Sequence, residues 1–452
     1  MGARGVQLRY CTTVQQTGGP QLAQTVNQRL IRPLQDFFQR QVSAGILLVL
    51  AAAVALIWAN SPWGDSYFDL WATEASIEVG SIEVHLSLKG WINDAAMVLF
   101  FFVVGLEIKR EVTQGELRDP RQAALPIIGA IGGMVVPAGI YALLNSGGDG
   151  ADGWGIPMAT DIAIVMGVVA LLGSRSPAWL KLFLLALAIV DDIGAILVIA
   201  IFYSEGVSFE YLALAISAFM VAVLIRNSVQ WFGAYVILGT ICWIGLHDAH
   251  IHPTLTGVAF GMLAPITPRM QFDYVDAAEL ADHPTIMEAR KVSQRARESV
   301  SVVEWLEYKL HPYSAFLVVP LFALANAGIR IPASELGDAL NNSVTWGVML
   351  GLVVGKTIGI AVFTLGAVAL KIGKLPHGVT PRYVLGAAGL GGIGFTVSLF
   401  VTELAFGDGP VGTDARLGVL IASAVAAIFG MCMLIPGDWE DDQTMAEHTT
   451  AR

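Results

Sequence analysis

Four ionisable side chains interrupt long apolar runs of this 452-residue chain. Asp161 lies in GIPMATDIAIVMG, Asp191 and Asp192 lie side by side in LFLLALAIVDDIGAILVIAIFY, and Lys356 lies in GVMLGLVVGKTIGIAVF. A charge at the centre of a bilayer costs about 2.5–3.5 kcal/mol, so four unpaired charges cost roughly 10–14 kcal/mol. A chain that carries these residues despite that cost is predicted to use them to move ions or protons.

The adjacent aspartates cannot share one direction, because neighbouring residues of a helix point about 100° apart. One carboxylate can face a cavity while the other faces a partner helix. Lys356 is the one basic residue in the middle of a predicted span, so it is the natural partner of one aspartate. A purely structural ion pair would explain Lys356 and one aspartate, but it would leave two carboxylates without partners.

The composition is that of a protein that crosses a membrane many times. Hydrophobic residues make up 55% of the chain and charged residues 14%, whereas a soluble protein carries about 25% charged residues. The net charge of −11 arises largely in the segments outside the membrane. Cys11, Cys242 and Cys432 are scattered without metal-binding spacing, so neither a disulfide framework nor a resident metal or other cofactor is predicted. No nucleic-acid partner is predicted either.

Runs of about 20 apolar residues are long enough to cross a bilayer. The sequence predicts an all-α polytopic membrane protein with twelve transmembrane helices: 43–60, 90–108, 122–144, 154–173, 182–203, 209–225, 230–246, 252–267, 313–329, 344–366, 382–404 and 414–435.

The distribution of Lys and Arg sets the orientation of these spans. With the N-terminus inside, the cytoplasmic side, including the ends of the spans, holds 22 of the 26 basic residues and the external side holds three, Lys89, Arg330 and Arg416. This asymmetry places both termini in the cytoplasm. It divides the chain into a polar N-terminal extension at 1–42, a transmembrane domain at 43–436 and an acidic tail at 437–452.

The loop after the first span alternates apolar and polar residues. Residues 76–88 read SIEVGSIEVHLSL, with a two-residue turn at Gly80-Ser81, which predicts a small external β-hairpin. An isolated hairpin is marginally stable in water. Pairing with a second copy would stabilise it and predicts a homodimer, although packing of the hairpin on its own subunit is an alternative.

Two predicted spans carry residues that weaken a helix. Gly153, Gly155 and Pro157 precede Asp161 in the fourth span, and the eleventh span contains LGAAGLGGIGFTVSLF. Each is the middle member of a group of three spans, 3–5 and 10–12. Because the second group starts seven spans after the first, the two groups start on opposite sides of the membrane. Inverted three-helix repeats with two interrupted helices predict a transport site at mid-membrane depth.

Carboxylate and carbonyl oxygens suit a hard cation such as Na⁺ or Li⁺, and carboxylates also accept a proton. Because burial in hydrocarbon disfavours a free negative charge, the same oxygens hold either H⁺ or the metal ion. Competition for one site that opens to each side in turn amounts to exchange.

Six blocks in the chain carry a family resemblance. MATDIA, VDDIGA, FFVVGLEIKRE, GLVVGKTIGI, LHPYSAFLVVPLFALANAGI and GGIGFTVSLF together resemble the NhaA-type sodium/proton antiporters. The likeness runs from about residue 40 to residue 436 in the expected order and spacing. Inverted three-helix repeats are also known in that family.

The resemblance implies a role for each buried charge. Asp192 and Asp161 would bind Na⁺ and protons, with Asp192 central, and Thr160 would line the site. Asp191 would pair with Lys356, which is also a candidate to release a proton when Na⁺ arrives. The resemblance further implies electrogenic exchange, in which more protons enter than sodium ions leave, and a dimer contact through the hairpin.

The resemblance also implies a pH sensor at the cytoplasmic end of the site. Glu107, Arg110 and Glu111 close the second span, while Glu307 and His311 open the ninth. A charge cluster with one His can titrate near neutral pH, although ordinary pairing of helix-end charges is the alternative interpretation.

Three further positions bear on the resemblance. Tyr308 stands where some members of the family carry a His, which is a departure from the pattern at the pH sensor. Asp94 falls at a position used in the family and is interpreted here as structural. His252 also falls at a family position, but a lone His at the entrance of a span is usually structural.

Other classes of protein fit the charges less well. An intramembrane aspartyl protease would need a GxGD-type context, which neither Asp161 nor Asp192 has, and it gives Lys356 no role. An ion channel would favour an open pore and repeated subunits. A sodium-coupled solute symporter is the nearest alternative, yet the spans offer few spare polar groups for a solute. The sequence therefore predicts a secondary antiporter of Na⁺, and of Li⁺, against H⁺ in a bacterial plasma membrane, rather than an enzyme.

Overall fold

The structure is a computed structural model of the chain. It describes residues 42–79, 82–173, 178–204, 206–226, 228–229, 231–267, 300–330, 336–376 and 379–435. The predicted N-terminal extension up to residue 41, the acidic tail at 437–452 and the turn at residues 80–81 lie outside the described residues.

Helices form most of the described part of the chain, and one pair of strands interrupts them. In chain order the elements are α1 Val42–Ala59, α2 Gly64–Ala72, β1 Glu74–Val79, β2 Ile82–Ser87, α3 Leu88–Thr113, α4 Pro120–Asn145, α5 Ala151–Met158, α6 Ile162–Leu171, α7 Ala178–Phe202, α8 Phe209–Ile225, α9 Phe232–Asp248, α10 Leu255–Leu263, α11 Val302–Tyr313, α12 Val319–Asn326, α13 Leu336–Asn341, α14 Ser343–Ala369, α15 Pro381–Gly391, α16 Phe395–Phe406 and α17 Pro410–Leu434. A single π-helical turn at residues 314–318 joins α11 to α12.

Six helices of the described part are long and apolar enough to cross a membrane by themselves: α1, α3, α4, α7, α14 and α17. The pairs α5–α6 and α15–α16 raise that number to eight if each bent pair is one span. Every predicted span coincides with a helix or helix pair, but α10 contains only nine residues. Nine helical residues extend about 14 Å, well short of a hydrocarbon core about 30 Å thick. The multi-pass membrane architecture is thus established, while the count of twelve stays a prediction.

The predicted hairpin is confirmed. Strands β1 and β2 pair antiparallel with Val79 opposite Ile82, which leaves two residues for the turn. At its far end the hairpin leads directly into α3, because the Ser87 hydroxyl accepts a hydrogen bond from the Gly90 amide and caps the first turn of the helix.

The closest helix contact in the centre of the molecule joins α4 to α14. A Cβ atom placed on Gly359 would lie 2.1 Å from the carbonyl oxygen of Gly132, so only glycine allows the two backbones to approach this closely. Three residues before Gly359, Lys356 is held on the same helix, and its side chain is fully buried. The packing of α14 on α4 therefore places the one described mid-span cation in the centre of the bundle.

Candidate ion-binding site

The first break in a helix lies at Asp161. The 3-10 helix α5 ends at Met158, the chain is extended at Ala159 and Asp161, and α6 starts at Ile162 with a bend of 40°. Asp161 is the N-cap of α6, since its Oδ1 accepts a hydrogen bond 3.1 Å long from the Ile164 amide. The predicted interruption of this span is confirmed, and the backbone amides of the new helix face the Asp161 carboxylate.

The second break separates α15 from α16. Residues 392–394 connect the two helices, which are bent by 44°. At Gly394 a Cβ atom would lie 3.0 Å from the carbonyl oxygen of Ala159, which belongs to the first break. The absence of a side chain at this position lets the two interrupted helices meet.

Hydrogen bonds join the two breaks directly. The Asp161 amide donates to the Ile393 carbonyl oxygen at 2.6 Å. Asp161 Oδ2 accepts from both the Thr396 amide at 3.0 Å and the Thr396 hydroxyl at 2.6 Å. The Thr160 hydroxyl lies 2.9 Å from the Gly391 carbonyl oxygen. Each break thus satisfies polar groups that the other leaves without helical partners.

Lys356 and Asp191 form a fully buried ion pair. Lys356 Nζ lies 2.5 Å from Asp191 Oδ2, and neither side chain is exposed. Lys356 also donates to the Thr160 hydroxyl, which lies 2.6 Å from the same carboxylate oxygen. These contacts connect Lys356 of α14 and Asp191 of α7 to Thr160 in the first helix break.

Asp192 points elsewhere. It lines a cavity of about 60 Å³ together with Asp161, Thr160 and Thr396, and it is half-buried. Among the residues that the structure describes, no hydrogen bond to the Asp192 carboxylate is found. The adjacent aspartates therefore face different surroundings, as their 100° separation requires: Asp191 faces a lysine and Asp192 faces a cavity.

The charges predicted to sense pH fall into two sets. Glu107 and His311 line the cavity itself. Arg110 donates to Glu307 and, at 3.3 Å, to Glu111, and both of these acidic side chains are buried. The arginine is thus shared by two carboxylates, and all three charges lie close enough to act on Glu107.

One site residue was missed from the sequence. Thr396 contacts the Asp161 carboxylate through both its amide and its hydroxyl, yet in the sequence it is notable only as a member of the block GGIGFTVSLF. The available signal was its position as the second residue after the glycine-rich break.

Asp94 and His252 lie apart from the cavity lining. The Trp243 indole donates to the carbonyl oxygen of Asp94 at 2.7 Å. The His252 ring packs edge-on against Phe400 with centroids 5.3 Å apart. In the described part of the chain, no group of three or more His, Cys, Asp or Glu side chains is arranged to hold a metal ion.

Membrane-length helices that bury carboxylates at the crossing of two helix breaks define an ion-translocating membrane protein. Residues 35–434 match the model of the family described as Na⁺/H⁺ antiporter 1. The chain therefore belongs to the Na⁺/H⁺ antiporter 1 family.

Individual relatives are similar along almost their whole length. The Na(+)/H(+) antiporter NhaA of Rhodopirellula baltica is 46% identical over 420 residues, which cover 90% of this chain and 94% of that protein. Na(+)/H(+) antiporter NhaA 3 of Frankia alni is 43% identical, with 89% and 88% covered. Na(+)/H(+) antiporter NhaA 2 of Myxococcus xanthus is also 43% identical, with 90% and 89% covered.

Proposed function

We propose that this chain is a secondary antiporter that exports Na⁺, and also Li⁺, in exchange for H⁺, and that the two ions compete for Asp192 and Asp161. Family membership and the names of the relatives support the exchange of Na⁺ for H⁺. The observation that carries the choice of site is the Asp192 carboxylate, which lines the cavity while the neighbouring Asp191 is paired with Lys356.

The two binding carboxylates play unequal roles. Asp161 accepts three hydrogen bonds, from the amides of Ile164 and Thr396 and from the Thr396 hydroxyl. Three donors stabilise its charged form and fix its position. Asp192 accepts no hydrogen bond from the described residues, so it is the carboxylate that exchanges a proton more readily.

The charge of the site fits an electrogenic exchange. Asp161, Asp191 and Asp192 with Lys356 carry a formal charge of −2 when all four groups are ionised. Two protons neutralise that charge, whereas one Na⁺ leaves a net charge of −1. A site that prefers neutrality in a medium of low dielectric constant therefore carries more protons inward than sodium ions outward.

We infer that the chain crosses the membrane twelve times and contains two inverted three-helix groups. The pairs α5–α6 and α15–α16 would be the interrupted members of these groups, and this arrangement would bring the two breaks together at the centre. The distribution of basic residues supports cytoplasmic termini in a bacterial plasma membrane. Labelling of a cysteine introduced into the tail from outside intact cells would contradict this orientation.

Glu107 and His311 stand where ions enter from the cytoplasmic side in this orientation, beside the cluster of Arg110, Glu111 and Glu307. Protonation there would change the charge at the cavity mouth, so we propose that this cluster regulates activity with pH. Replacement of His311 by Gln should move the pH profile of exchange; an unmoved profile would leave plain helix-end pairing as the explanation of that residue.

The hairpin has the form of a dimer contact. Two strands alone are marginal in water, and Ile77 on β1 is exposed. We propose that two copies pair through residues 76–88. Native mass spectrometry of a variant with a shortened hairpin should show monomers, and persistence of the dimer would refute the contact.

The size of the cavity favours antiport over solute symport. A volume of about 60 Å³ is far below the roughly 300–1,000 Å³ of sites for small organic molecules. Water or a bare cation fits such a space, while a cotransported organic solute does not.

A proteoliposome experiment tests the exchange. Liposomes are loaded with acid and a quenched pH dye, and Na⁺, Li⁺ or K⁺ is added across a range of pH. We expect Na⁺ and Li⁺ to relieve the quenching as protons leave the lumen. Failure of both ions at every pH would refute the proposal, and sodium-driven solute uptake without proton movement would favour the symporter.

A further inference from the structure

A second and larger cavity lies at the hairpin end of the molecule. Its volume is about 510 Å³, and the hairpin, α2 and the segments around Asn326 and Asp408 enclose it. Lys89 lines it at the start of α3, 18 residues before Glu107 at the other cavity, which is about 27 Å along a helix. Of the residues that line this cavity in the described structure, none is one of the four buried charges of the site.

Lys89, Asp408 and Arg416 line this cavity, and Glu403 is bonded to both Lys89 and Arg416. Lys89 Nζ lies 2.8 Å from Glu403 Oε2 and also donates to Asp408. Arg416 donates to Glu403 and, at 3.0 Å, to Asp408 Oδ1. Lys89 and Arg416 are both more than nine-tenths buried. We call these four residues the Lys89 cluster.

The Lys89 cluster joins two groups of helices. Glu403, Asp408 and Arg416 all belong to the segment from α16 to α17, which directly follows the second helix break. Lys89 belongs to α3, outside either inverted group. Within the cluster, Lys89 is therefore the residue that links a helix outside both inverted groups to the group that contains α16 and α17.

An aromatic layer separates the cluster from the site. The Phe101 ring of α3 lies 5.3 Å from the Phe400 ring of α16, and the Phe322 ring lies 6.0 Å from Phe400. Along α16, Thr396 contacts Asp161, Phe400 belongs to the aromatic layer and Glu403 belongs to the Lys89 cluster. Seven residues from Thr396 to Glu403 cover about 10 Å.

The ion pairs of Lys89 can break without leaving a carboxylate alone. Arg416 bonds both Glu403 and Asp408, so each acid keeps a cationic partner when Lys89 departs. Partial burial disfavours the charge of Asp408, but Lys89 and Arg416 together hold the pKa of that carboxyl below its ordinary value. Because both carboxylates keep a cationic partner when Lys89 leaves, these ion pairs can break and re-form repeatedly without an uncompensated buried charge.

We propose that Lys89 is a gate residue on the external side of the exchanger, which must leave Glu403 and Asp408 before the site opens outward. The proposal rests on the proposed antiport and orientation. In this structure the cavity at Asp192 reaches toward Glu107, while the aromatic layer and the Lys89 cluster close the hairpin side. Release of Na⁺ on that side requires α3 and α16 to separate, and the Lys89 contacts oppose that separation.

Reversible cross-linking tests the gate. Lys89→Cys and Glu403→Cys are combined in a background whose native cysteines, Cys11, Cys242 and Cys432, are replaced by alanine. A bifunctional methanethiosulfonate reagent spans the distance that the two long side chains now fill. We expect cross-linking to lower Na⁺-dependent exchange at least about tenfold, with recovery on reduction, because gating motions control turnover.

The matched control joins two residues within one helix group. Asn342 Nδ2 and Asp414 Oδ2 lie 2.5 Å apart between the start of α14 and α17. Cross-linking of Asn342→Cys to Asp414→Cys should leave exchange within about twofold of the uncross-linked variant, since no separation of the groups is blocked. Full exchange by the protein cross-linked at 89 and 403, with the link verified by mass spectrometry, would overturn the gate.

A labelling experiment does not depend on transport. Val397 lies beyond the aromatic layer and lines the site cavity. In the same cysteine-free background, Val397→Cys should react severalfold faster with an impermeant reagent added outside when Lys89→Met is also present, whereas Lys89→Arg should leave the rate unchanged. Equal labelling rates of Val397→Cys with Lys89 and with Lys89→Met would overturn the gate. This result does not depend on the antiport assay, so the gate and the proposed antiport can be refuted separately.

Discussion

Hydrogen bonding distinguishes the three aspartates of the candidate site from one another. Asp161 accepts three hydrogen bonds, and Asp191 accepts from Lys356 and Thr160 through one oxygen. Asp192 lines the cavity, where its oxygens are open to a cation or a proton. Asp192 faces the cavity without a hydrogen bond from the described residues, and Asp191 does not line that cavity, so we propose Asp192 as the carboxylate that exchanges ions.

Replacement of Asp192 by Asn should therefore abolish exchange and leave the fold intact. The amide keeps the shape of the side chain but holds neither a proton nor a net negative charge for Na⁺. Dye dequenching in proteoliposomes measures the exchange, and size-exclusion chromatography with a melting curve measures the fold. Asp338→Asn, the same chemical change on an exposed side chain, is the control, and sodium-driven proton movement by Asp192→Asn at the native rate would refute the assignment.

The Thr396 hydroxyl offers a milder test of the same site. Thr396→Val keeps the hydrogen bond from the backbone amide to Asp161 and the shape of the side chain, but it removes the hydrogen bond from the hydroxyl. A hydrogen bond to a charged group contributes about 1.5–3 kcal/mol, so the half-maximal Na⁺ concentration should rise about tenfold or more. The Thr396→Ser variant should restore it. Thr402→Val, which loses a hydroxyl bond to the Ser398 carbonyl oxygen of the same helix, should change it little.

The sequence could predict which charged residues lie around the helix breaks, but it could not predict Thr396. A charge within an apolar run is conspicuous because insertion of it costs free energy, and this singled out Asp161, Asp191, Asp192 and Lys356. A threonine in an apolar helix costs little and is common. Its importance comes from a partner 235 residues away, and no local pattern encodes that contact.

At the scale of helices, the Lys356–Asp191 pair connects α14 to α7 in the interior of the bundle. Removal of one member of a buried pair leaves the other charge uncompensated, which typically costs about 3–5 kcal/mol. Lys356→Ala should accordingly lower the melting temperature of the detergent-solubilised protein and weaken exchange. Differential scanning fluorimetry measures the first effect and proteoliposome dequenching the second.

The double variant Asp191→Asn/Lys356→Ala separates a charge effect from a packing effect. If the uncompensated carboxylate causes the destabilisation, the double variant should melt above the single Lys356→Ala variant. Equal melting temperatures would attribute the loss to the cavity left by the lysine side chain instead.

The helix breaks were predictable, whereas their contact was not. Gly153, Gly155 and Pro157 before Asp161, and the glycines around Gly392, weaken the hydrogen-bond ladder locally, and both interruptions are confirmed. The hydrogen bonds from Asp161 to Ile393 and from Thr396 to Asp161 depend on how distant helices pack. The sequence does predict that the eighth span, 252–267, is short, but α10 is shorter still, since apolar composition continues although the helix ends at Leu263.

For the whole molecule, the two cavities are unequal. The one that contains Asp192 is small and reaches the Glu107 end, while the larger one at the hairpin end stops at the Lys89 cluster. A single site reached from one side at a time couples the two ions only if each must leave before the other binds. Competition between Na⁺ and H⁺ should then appear in the pH dependence of the intact transporter.

The half-maximal Na⁺ concentration should fall as pH rises from about 6 to 9, because metal ligands must lose their protons before they bind the ion. While the site is protonated, each proton displaced per Na⁺ changes that concentration about tenfold per pH unit, since ligand binding and proton release are linked. Dequenching titrations at a series of pH values measure the slope. A slope near two would mean that two protons leave for each Na⁺, which makes the exchange electrogenic, and a slope near one would make it electroneutral. A concentration that does not vary with pH would show that Na⁺ and H⁺ bind at separate sites, and direct competition at Asp192 and Asp161 would then be wrong.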